Sequence, residues 1–328
     1  MAEKLASWDT LSDRVWPTLL LGNGVSINIW RGFGYTGLLE QARLNAAARR
    51  LFTDFETVNF ETVLEALWHA ERTLEALRRS TASVRNLYEH VQSQLVEAVH
   101  SVHIAWAALP PHALDQILGV LMTHRHAFTL NYDLLTYWAA MRGGPAGHIK
   151  DFFWGPGSTF DRHNRALLDS GTGFYYLHGG LHLWYDAATG STGKWTRGSG
   201  SRLLADLSRT YVAKTDRHPL FVSEGTSRQK MGVIRRSDYL AFALESLNEN
   251  ESDTVIFGAS FGPQDKHITK ALNAGEPRNI SISVRPGSPD QDEMMARCRS
   301  ALPNHRLTFF DSTTHPLGDP ALSATAPP

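Results

Sequence analysis

The sequence contains one cysteine, Cys298, in 328 residues. A single thiol excludes a disulfide within the chain and any zinc site that needs several cysteines. No apolar run approaches the roughly 20 residues that a membrane-spanning helix requires. Residues 1–5, MAEKL, also lack the apolar core of a signal peptide. We therefore expect a cytoplasmic protein.

The chain also lacks an excess of charge of either sign, since its formal net charge is −1. No bulk positive field would attract it to nucleic acid or to anionic lipid. Hydrophobic residues make up 42% of the sequence. A chain of this length and composition can bury the core of one large domain or of two small ones.

A short apolar run at 18–21 predicts a buried strand, and Gly22 and Gly24 follow it directly. Two glycines at this spacing let the backbone turn sharply and let a phosphate come close. Ser26 and Asn28 add short polar groups, and the amides of a following helix would complete an anion site. The third glycine and the later acidic residue of the dinucleotide-binding fingerprint are missing. An ordinary strand-to-helix turn therefore remains the alternative.

Most of the next hundred residues are predicted to be helical. Apolar residues recur every three or four positions over 59–79 and 84–109, and shorter helices are expected at 37–52 and 114–123. Together they form a helical insert at 37–123, between the first strand and the second. Glu61 lies on the outer face of one of these helices, and we expect it to be solvated.

Beyond the insert, apolar strand patterns alternate with helices. Further strands are expected at 126–130, 174–177, 219–222, 254–257, 279–284 and 307–310, with a hairpin continuation at 181–185 and a helix at 202–211. This alternation predicts an α/β fold, a Rossmann-like and mostly parallel sheet. We expect one domain at 1–317 and a flexible tail, rich in Pro, Ala and Ser, at 318–328.

Polar residues gather directly after the expected strands. They are Asn28, Asn131, Asp133, His178 and Ser260. In an open parallel sheet, ligands bind in the crevice at the carboxyl ends of the strands. We therefore expect a ligand site at this edge, and this clustering is stronger evidence than any one motif.

Four short tracts resemble those of the sirtuin family, in the family's order and each after an expected strand. They are GNGVS at 22–26, NYD at 131–133, HG at 178–179 and GAS at 258–260. The resemblance implies that Asn131 and Asp133 serve the nicotinamide and its ribose and that His178 is the catalytic base. The cofactor-binding residues that we predict are Gly22, Asn23, Gly24, Ser26, Asn28, Gly258 and Ser260.

The chain departs from the sirtuin deacylases in two respects. One cysteine cannot build their four-cysteine zinc module, and their acyl-lysine channel has no recognisable counterpart. The tract GASFGPQDKHI at 258–268 is more similar to bacterial sirtuin-like defence proteins, which hydrolyse NAD. The resemblance therefore implies an NAD hydrolase of anti-phage defence that releases nicotinamide and ADP-ribose, with NAD as substrate and no metal.

These residue types suit cleavage of the nicotinamide–ribose bond. The Asn131 amide offers an acceptor and two donors, enough to hold a ribose hydroxyl and a water. His178 titrates near neutrality and could deprotonate either group. Alternatives remain: Asn131 as a turn former, Asp133 as a helix cap and His178 as a core histidine. His178 and His182 are four residues apart, but in a strand-like context with no evident third ligand they do not indicate zinc.

Two other functions remain open. One is an NAD-dependent protein deacylase or ADP-ribosyltransferase, and the other is a non-catalytic nucleotide sensor. If the protein hydrolyses NAD, its activity must be held off in its own cell. Because the expected elements leave no room for a separate sensor domain, we expect control by a homo-oligomer or a partner protein. The helical insert is the expected contact surface.

Overall fold

The computed structural model describes residues 4–143, 148–163, 171–196, 217–223 and 225–324. The helix expected at 202–211 and the last four residues lie outside the described residues. Among the described residues, no helix is both long enough and apolar enough to cross a membrane.

The described part of the chain contains ten strands in two sheets. The strands are β1 (Thr18–Leu21), β2 (His126–Thr129), β3 (Ile149–Lys150), β4 (Thr172–Tyr176), β5 (Gly179–Asp186), β6 (Thr192–Lys194), β7 (Arg217–Phe221), β8 (Thr254–Phe257), β9 (Asn279–Val284) and β10 (Arg306–Asp311). Seven of them form a central sheet in the order β10-β9-β8-β1-β2-β4-β3. All of its neighbouring strands are parallel. The predicted α/β, Rossmann-like sheet is confirmed.

The register of the central sheet brings four strand ends together. Leu21 of β1 lies opposite Thr129 of β2 and Phe257 of β8, and Thr129 lies opposite Tyr176 of β4. The segments that follow these strands therefore start at the same edge. Strands β2 to β4 extend the sheet to one side of β1, and β8 to β10 extend it to the other side. The topological switch point, where such sheets bind ligands, therefore lies between β1 and β8.

Helices cover the central sheet and fill the connection between β1 and β2. They are α1 (Asn23–Ile29), α2 (Tyr35–Gln41), α3 (Ala46–Asp54), α4 (Phe60–Ala76), α5 (Ala82–Val102), α6 (Pro111–Met122), α7 (Leu135–Arg142), α8 (Ser227–Ile234), α9 (Asp238–Asn248), α10 (Lys266–Leu272) and α11 (Gln291–Ala301). Helices α2 to α6 form the helical insert, as the apolar spacing predicts. Helix α4 buries Phe60, Val63, Leu64 and Leu67, which recur at helical spacing on one face.

The second sheet is small and antiparallel, in the order β6-β5-β7. We expected 181–185 as a hairpin partner of the strand at 174–177, and this was wrong, because β5 pairs with β6 and β7 instead. The chain passes between the sheets at Gly179, whose φ of +75° places it in the left-handed region. A Cβ there would also clash with the carbonyl oxygen of Leu220, so the junction requires glycine.

The C-terminal segment is packed against the body, in contrast to the flexible tail expected from residue 318. Leu322 is fully buried, and the Ala324 N–H donates to the carbonyl of Ile29 at 2.7 Å. Short 3₁₀ turns with proline at their starts carry the chain across α1 and α6. The expectation was therefore wrong for 318–324.

Candidate functional site

Asn131, which follows β2, lies at the centre of a buried hydrogen-bond network. Its Nδ2 donates to the Gly22 carbonyl at 3.0 Å and to the Ser26 hydroxyl at 2.9 Å. The Ser26 hydroxyl donates in turn to the Asp133 carboxylate at 2.5 Å. Asn131 and Asp133 are 4% and 3% exposed, and Ser26 is fully buried. The fold therefore unites residues that the sequence placed after two separate strands.

The network fixes the orientation of the Asn131 amide. The Gly22 carbonyl only accepts hydrogen bonds, so the amide nitrogen must face it. Ser26 gives its hydrogen to Asp133 and must accept from Asn131. The amide oxygen, Oδ1, is consequently directed elsewhere; it is buried, and no group among the described residues donates to it. We expected free donors as well as a free acceptor on this amide, but only the acceptor is free.

Asp133 also holds the start of the next helix. One of its oxygens accepts the Leu135 N–H of α7 at 2.8 Å, which fits the alternative role of Asp133 as a helix cap. Burial raises the pKa of this carboxyl, and the Ser26 hydrogen bond opposes the rise. The neighbouring Leu134 N–H donates to Nε2 of His103 at 2.8 Å. His103 follows the end of α5, so the helical insert helps to hold the loop that carries Asn131.

The glycines after β1 make close backbone contacts with the segment after β8. A Cβ on Gly22 would lie 2.5 Å from the Gly258 carbonyl oxygen, and one on Gly24 would lie 2.6 Å from the Gly258 Cα. The Gly24 N–H donates to the Gly258 carbonyl at 2.9 Å. We expected these glycines to leave room for a phosphate, but the chain itself fills that space. Their contact with a dinucleotide remains a prediction.

The other predicted cofactor-binding residues lie outside the Asn131 network. Asn28 donates through Nδ2 to two carbonyls of the C-terminal segment, at 3.0 and 3.1 Å. Asn23 donates to the Phe33 carbonyl at 3.0 Å. Ser260 is exposed, and its carbonyl accepts from Nε of Arg297 at 3.0 Å. Each of these three residues makes hydrogen bonds with its own neighbours, and these bonds do not connect it to the hydrogen-bond network of Asn131.

His178, which follows β4, is paired with a second histidine. Its Nε2 lies 2.8 Å from Nε2 of His267, near the start of α10. The Leu130 carbonyl also faces the His178 ring. Burial lowers the pKa of His178 well below its ordinary value, and Lys230 and His267 lower it further. The near-neutral titration that we expected was therefore wrong, and the ring is neutral at pH 7.

A buried group of three charges lies beside the two histidines. The Lys230 side chain on α8 is 1% exposed, and its Nζ lies 2.8 Å from Glu61 and 3.3 Å from Asp265. We expected Glu61 to be solvated, but its side chain is 17% exposed and ion-paired. Burial raises the pKa of Glu61, and Lys230 opposes the rise. This group connects the helical insert to the segment that carries His267.

His182, the other histidine of the i, i+4 pair, lies in the core. It is fully buried, and its ring stacks on Tyr137 with the ring centroids 4.2 Å apart. In the part of the chain that the structure describes, no three His, Cys, Asp or Glu side chains are grouped so that they could hold a metal ion.

A cavity of about 420 Å³ lies between the helical insert and the small sheet. Its lining includes the polar residues Arg43 and His100 and the apolar residues Leu181 and Phe221. None of its lining residues is a predicted site residue. The cavity nevertheless adjoins the strand that begins after His178, because Phe221 pairs with Gly179. Its volume is in the range of small-molecule sites.

One comparison with known proteins finds a match. A family model described as "Domain of unknown function (DUF4917)" matches residues 19–317, and no curated protein matches the chain. The matched span runs from β1 to the C-terminal segment and includes all seven strands of the central sheet. The chain therefore belongs to the DUF4917 family.

Proposed function

We propose that the protein hydrolyses NAD at the nicotinamide–ribose bond and releases nicotinamide and ADP-ribose. The four tracts that resemble sirtuin sequences follow β1, β2, β4 and β8, whose carboxyl ends share one edge of the sheet. This edge includes the topological switch point, the usual place for a nucleotide in such a fold. The match to the DUF4917 family neither supports nor opposes NAD hydrolysis, because the description of the family states no function.

The observation that carries the proposal is the free acceptor on Asn131. A buried oxygen without a donor costs free energy, and a ligand hydroxyl that donates to it recovers that cost. A ribose hydroxyl is such a donor. Cleavage of an N-glycosidic bond builds positive charge on the ribose, in an oxocarbenium-like transition state. A fixed, buried oxygen dipole beside the sugar would stabilise that charge.

The His178–His267 pair is the proton acceptor in this proposal. Its rings are neutral at pH 7, so the pair can take the proton of the attacking water or of a ribose hydroxyl. His178 is 5% exposed and His267 is 3% exposed. Entry of NAD must therefore be accompanied by a movement that opens this edge of the sheet.

The test is incubation of the purified protein with NAD, with and without an acylated peptide, followed by chromatography of the products. We expect nicotinamide and ADP-ribose in equal amounts, independent of the peptide. Release that depends on the peptide would instead indicate a deacylase. ADP-ribose attached to protein would indicate a transferase. Tight binding without release, measured by calorimetry, would indicate a sensor.

A substitution at the histidine pair tests the assignment of the base. We expect His178→Ala to lower turnover by about 10²–10⁴-fold, the usual contribution of a general base, while calorimetry still detects NAD binding. An unchanged rate would remove His178 from the mechanism.

On the same resemblance, we propose that the protein acts in the cytoplasm as an anti-phage effector that depletes NAD. Assembly into a homo-oligomer or with a partner protein would control the activity and switch it on at infection. Phage plating on cells that express the wild type or His178→Ala tests this role. Protection by the wild type alone supports it, and equal plating on both strains contradicts it.

A further inference from the structure

A serine lies at the accessible end of the histidine pair. The Ser227 hydroxyl is 3.2 Å from Nδ1 of His267, whose Nε2 is 2.8 Å from Nε2 of His178. Ser227 is half-buried, whereas both histidines are almost fully buried. Three groups, Ser227, His267 and His178, are therefore joined in a chain that runs inward from the half-buried serine.

The proton positions along this chain depend on the tautomers of the two histidines. The two Nε2 atoms face each other at 2.8 Å, so one of them carries a hydrogen and the other accepts it. With the hydrogen on Nε2 of His267, Nδ1 of His267 has a lone pair, and the Ser227 hydroxyl is placed to donate to it. In this tautomer the serine hydrogen points at a base.

We propose that Ser227 is an activated nucleophile, with His267 as its base and His178 as the residue that positions His267. This order of nucleophile, base and orienting group is the general geometry of covalent catalysis by serine. The chemical class of substrate is an ester or another electrophilic acyl group. The activity is separate from NAD hydrolysis, since it needs no NAD, although both use the two histidines.

The reaction balances without a cofactor. The Ser227 Oγ forms a bond to the acyl carbon, the ester C–O bond breaks, and the serine proton moves to Nδ1 of His267. That proton then passes to the leaving alcohol, and water hydrolyses the acyl-serine to release the acid and restore the hydroxyl. The Gln264 carbonyl also faces the His267 ring and can accept the new N–H while the ring is charged.

The start of α8 supplies donors where negative charge would develop. Ser227 is the first residue of α8, and Thr226 and Gln229 cap the helix reciprocally. The N–H groups of Ser227 and Arg228 have no acceptor within the helix, because the first turn lacks preceding carbonyls. Such N–H groups can stabilise the oxyanion of an acyl-transfer intermediate. The other role open to Ser227 is structural, since its Oγ accepts the His267 N–H at 3.0 Å and so caps α10.

A fluorophosphonate probe separates the two roles, because it reacts with activated serines and needs no knowledge of the substrate. The full chain is treated with the probe, and the adduct is located by peptide mass spectrometry. We expect an adduct on Ser227, none in Ser227→Ala, and wild-type labelling in Ser237→Ala. Ser237 is the matched control, since it caps α9 through its hydroxyl but has no histidine in its hydrogen bonds.

His267→Gln tests the base, with thermal unfolding as the check on folding. We expect labelling of Ser227 to slow by about 10²-fold or more, in line with the loss of a general base. p-Nitrophenyl acetate gives a second measurement, a burst of one p-nitrophenol per wild-type chain. Absence of an adduct on wild-type Ser227 overturns the proposal whatever the variants do. Equal labelling of wild type and folded His267→Gln also overturns it and leaves Ser227 as a cap.

Discussion

Replacing Lys230 with methionine tests how the helical insert is joined to the candidate site. The ammonium of Lys230 lies between Glu61 of the insert and Asp265, two residues before His267. Burial alone would lower the pKa of Lys230, but the two carboxylates outweigh it and the net shift is upward. Methionine preserves much of the volume and leaves both carboxylates without their cation.

The expected loss is large because the group is buried. Removing one partner of a buried ion pair typically costs about 3–5 kcal/mol, since the remaining charge is neither paired nor solvated. For a chain of this size, that corresponds to a fall in Tm of roughly 4–7 °C. The matched control is Arg50→Met, because the ion pair of Arg50 with Asp54 is exposed, with side chains 81% and 52% accessible. Its loss should cost less than about 0.5 kcal/mol.

The assay is urea unfolding of both variants at pH 7 and pH 5. In Lys230→Met, the folded-state pKa of Glu61 should rise further above its value in the unfolded chain. The native state then binds a proton that the unfolded state does not, so the deficit should shrink as the pH falls. Adding Glu61→Gln should recover part of the loss. A deficit at pH 7 no larger than that of Arg50→Met would refute the reasoning.

Three further predictions follow. Burial lowers the pKa of His103 to about 4 from its ordinary 6.5. Between these pH values the unfolded state binds a proton on His103 that the folded state does not bind. Urea unfolding should therefore show that the free energy of unfolding falls by about 3 kcal/mol between pH 6.5 and pH 4 from this residue alone. A flat profile would contradict that. Gly258→Ala should lower stability by more than about 1 kcal/mol in thermal unfolding, because φ is +75° and the new Cβ would lie 2.8 Å from the Gly24 Cα; wild-type stability would contradict the backbone contact. If assembly controls the proposed activity, NAD hydrolysis per protomer should rise with protein concentration, and a monomer with high, constant specific activity would exclude such control.

The central sheet was predictable because its strands leave a simple signal. The runs TLLL at 18–21 and TVIF at 254–257 are buried along their whole length, and parallel strands covered on both faces have such apolar runs. Polar residues directly after the strands then had to share one edge. That argument placed Asn131 and His178 at the same edge without any knowledge of their contacts.

The contacts within the site were not predictable by the same means. Lys230 and Glu61 are 169 positions apart in the chain, and an isolated glutamate on a helix face gives no signal of burial. The glycines after β1 were correctly recognised as a tight turn, but their spacing cannot show whether a phosphate or another backbone segment fills the space beside them. Periodicity also could not assign β5 and β7 to a second sheet, because strand pairing depends on contacts between distant residues.

The most direct test of the proposed function compares two asparagines in one NAD assay. Asn273 has a local pattern similar to that of Asn131: its Nδ2 makes two donated hydrogen bonds, here both to carbonyls, at 2.8 and 2.7 Å, and its Oδ1 is buried without a donor among the described residues. It does not follow a strand of the candidate site. Nicotinamide release should fall by about 10²-fold or more in Asn131→Ala and stay near the wild-type rate in Asn273→Ala. Equal rates in the two variants, or no release by the wild type, would contradict NAD hydrolysis at this site.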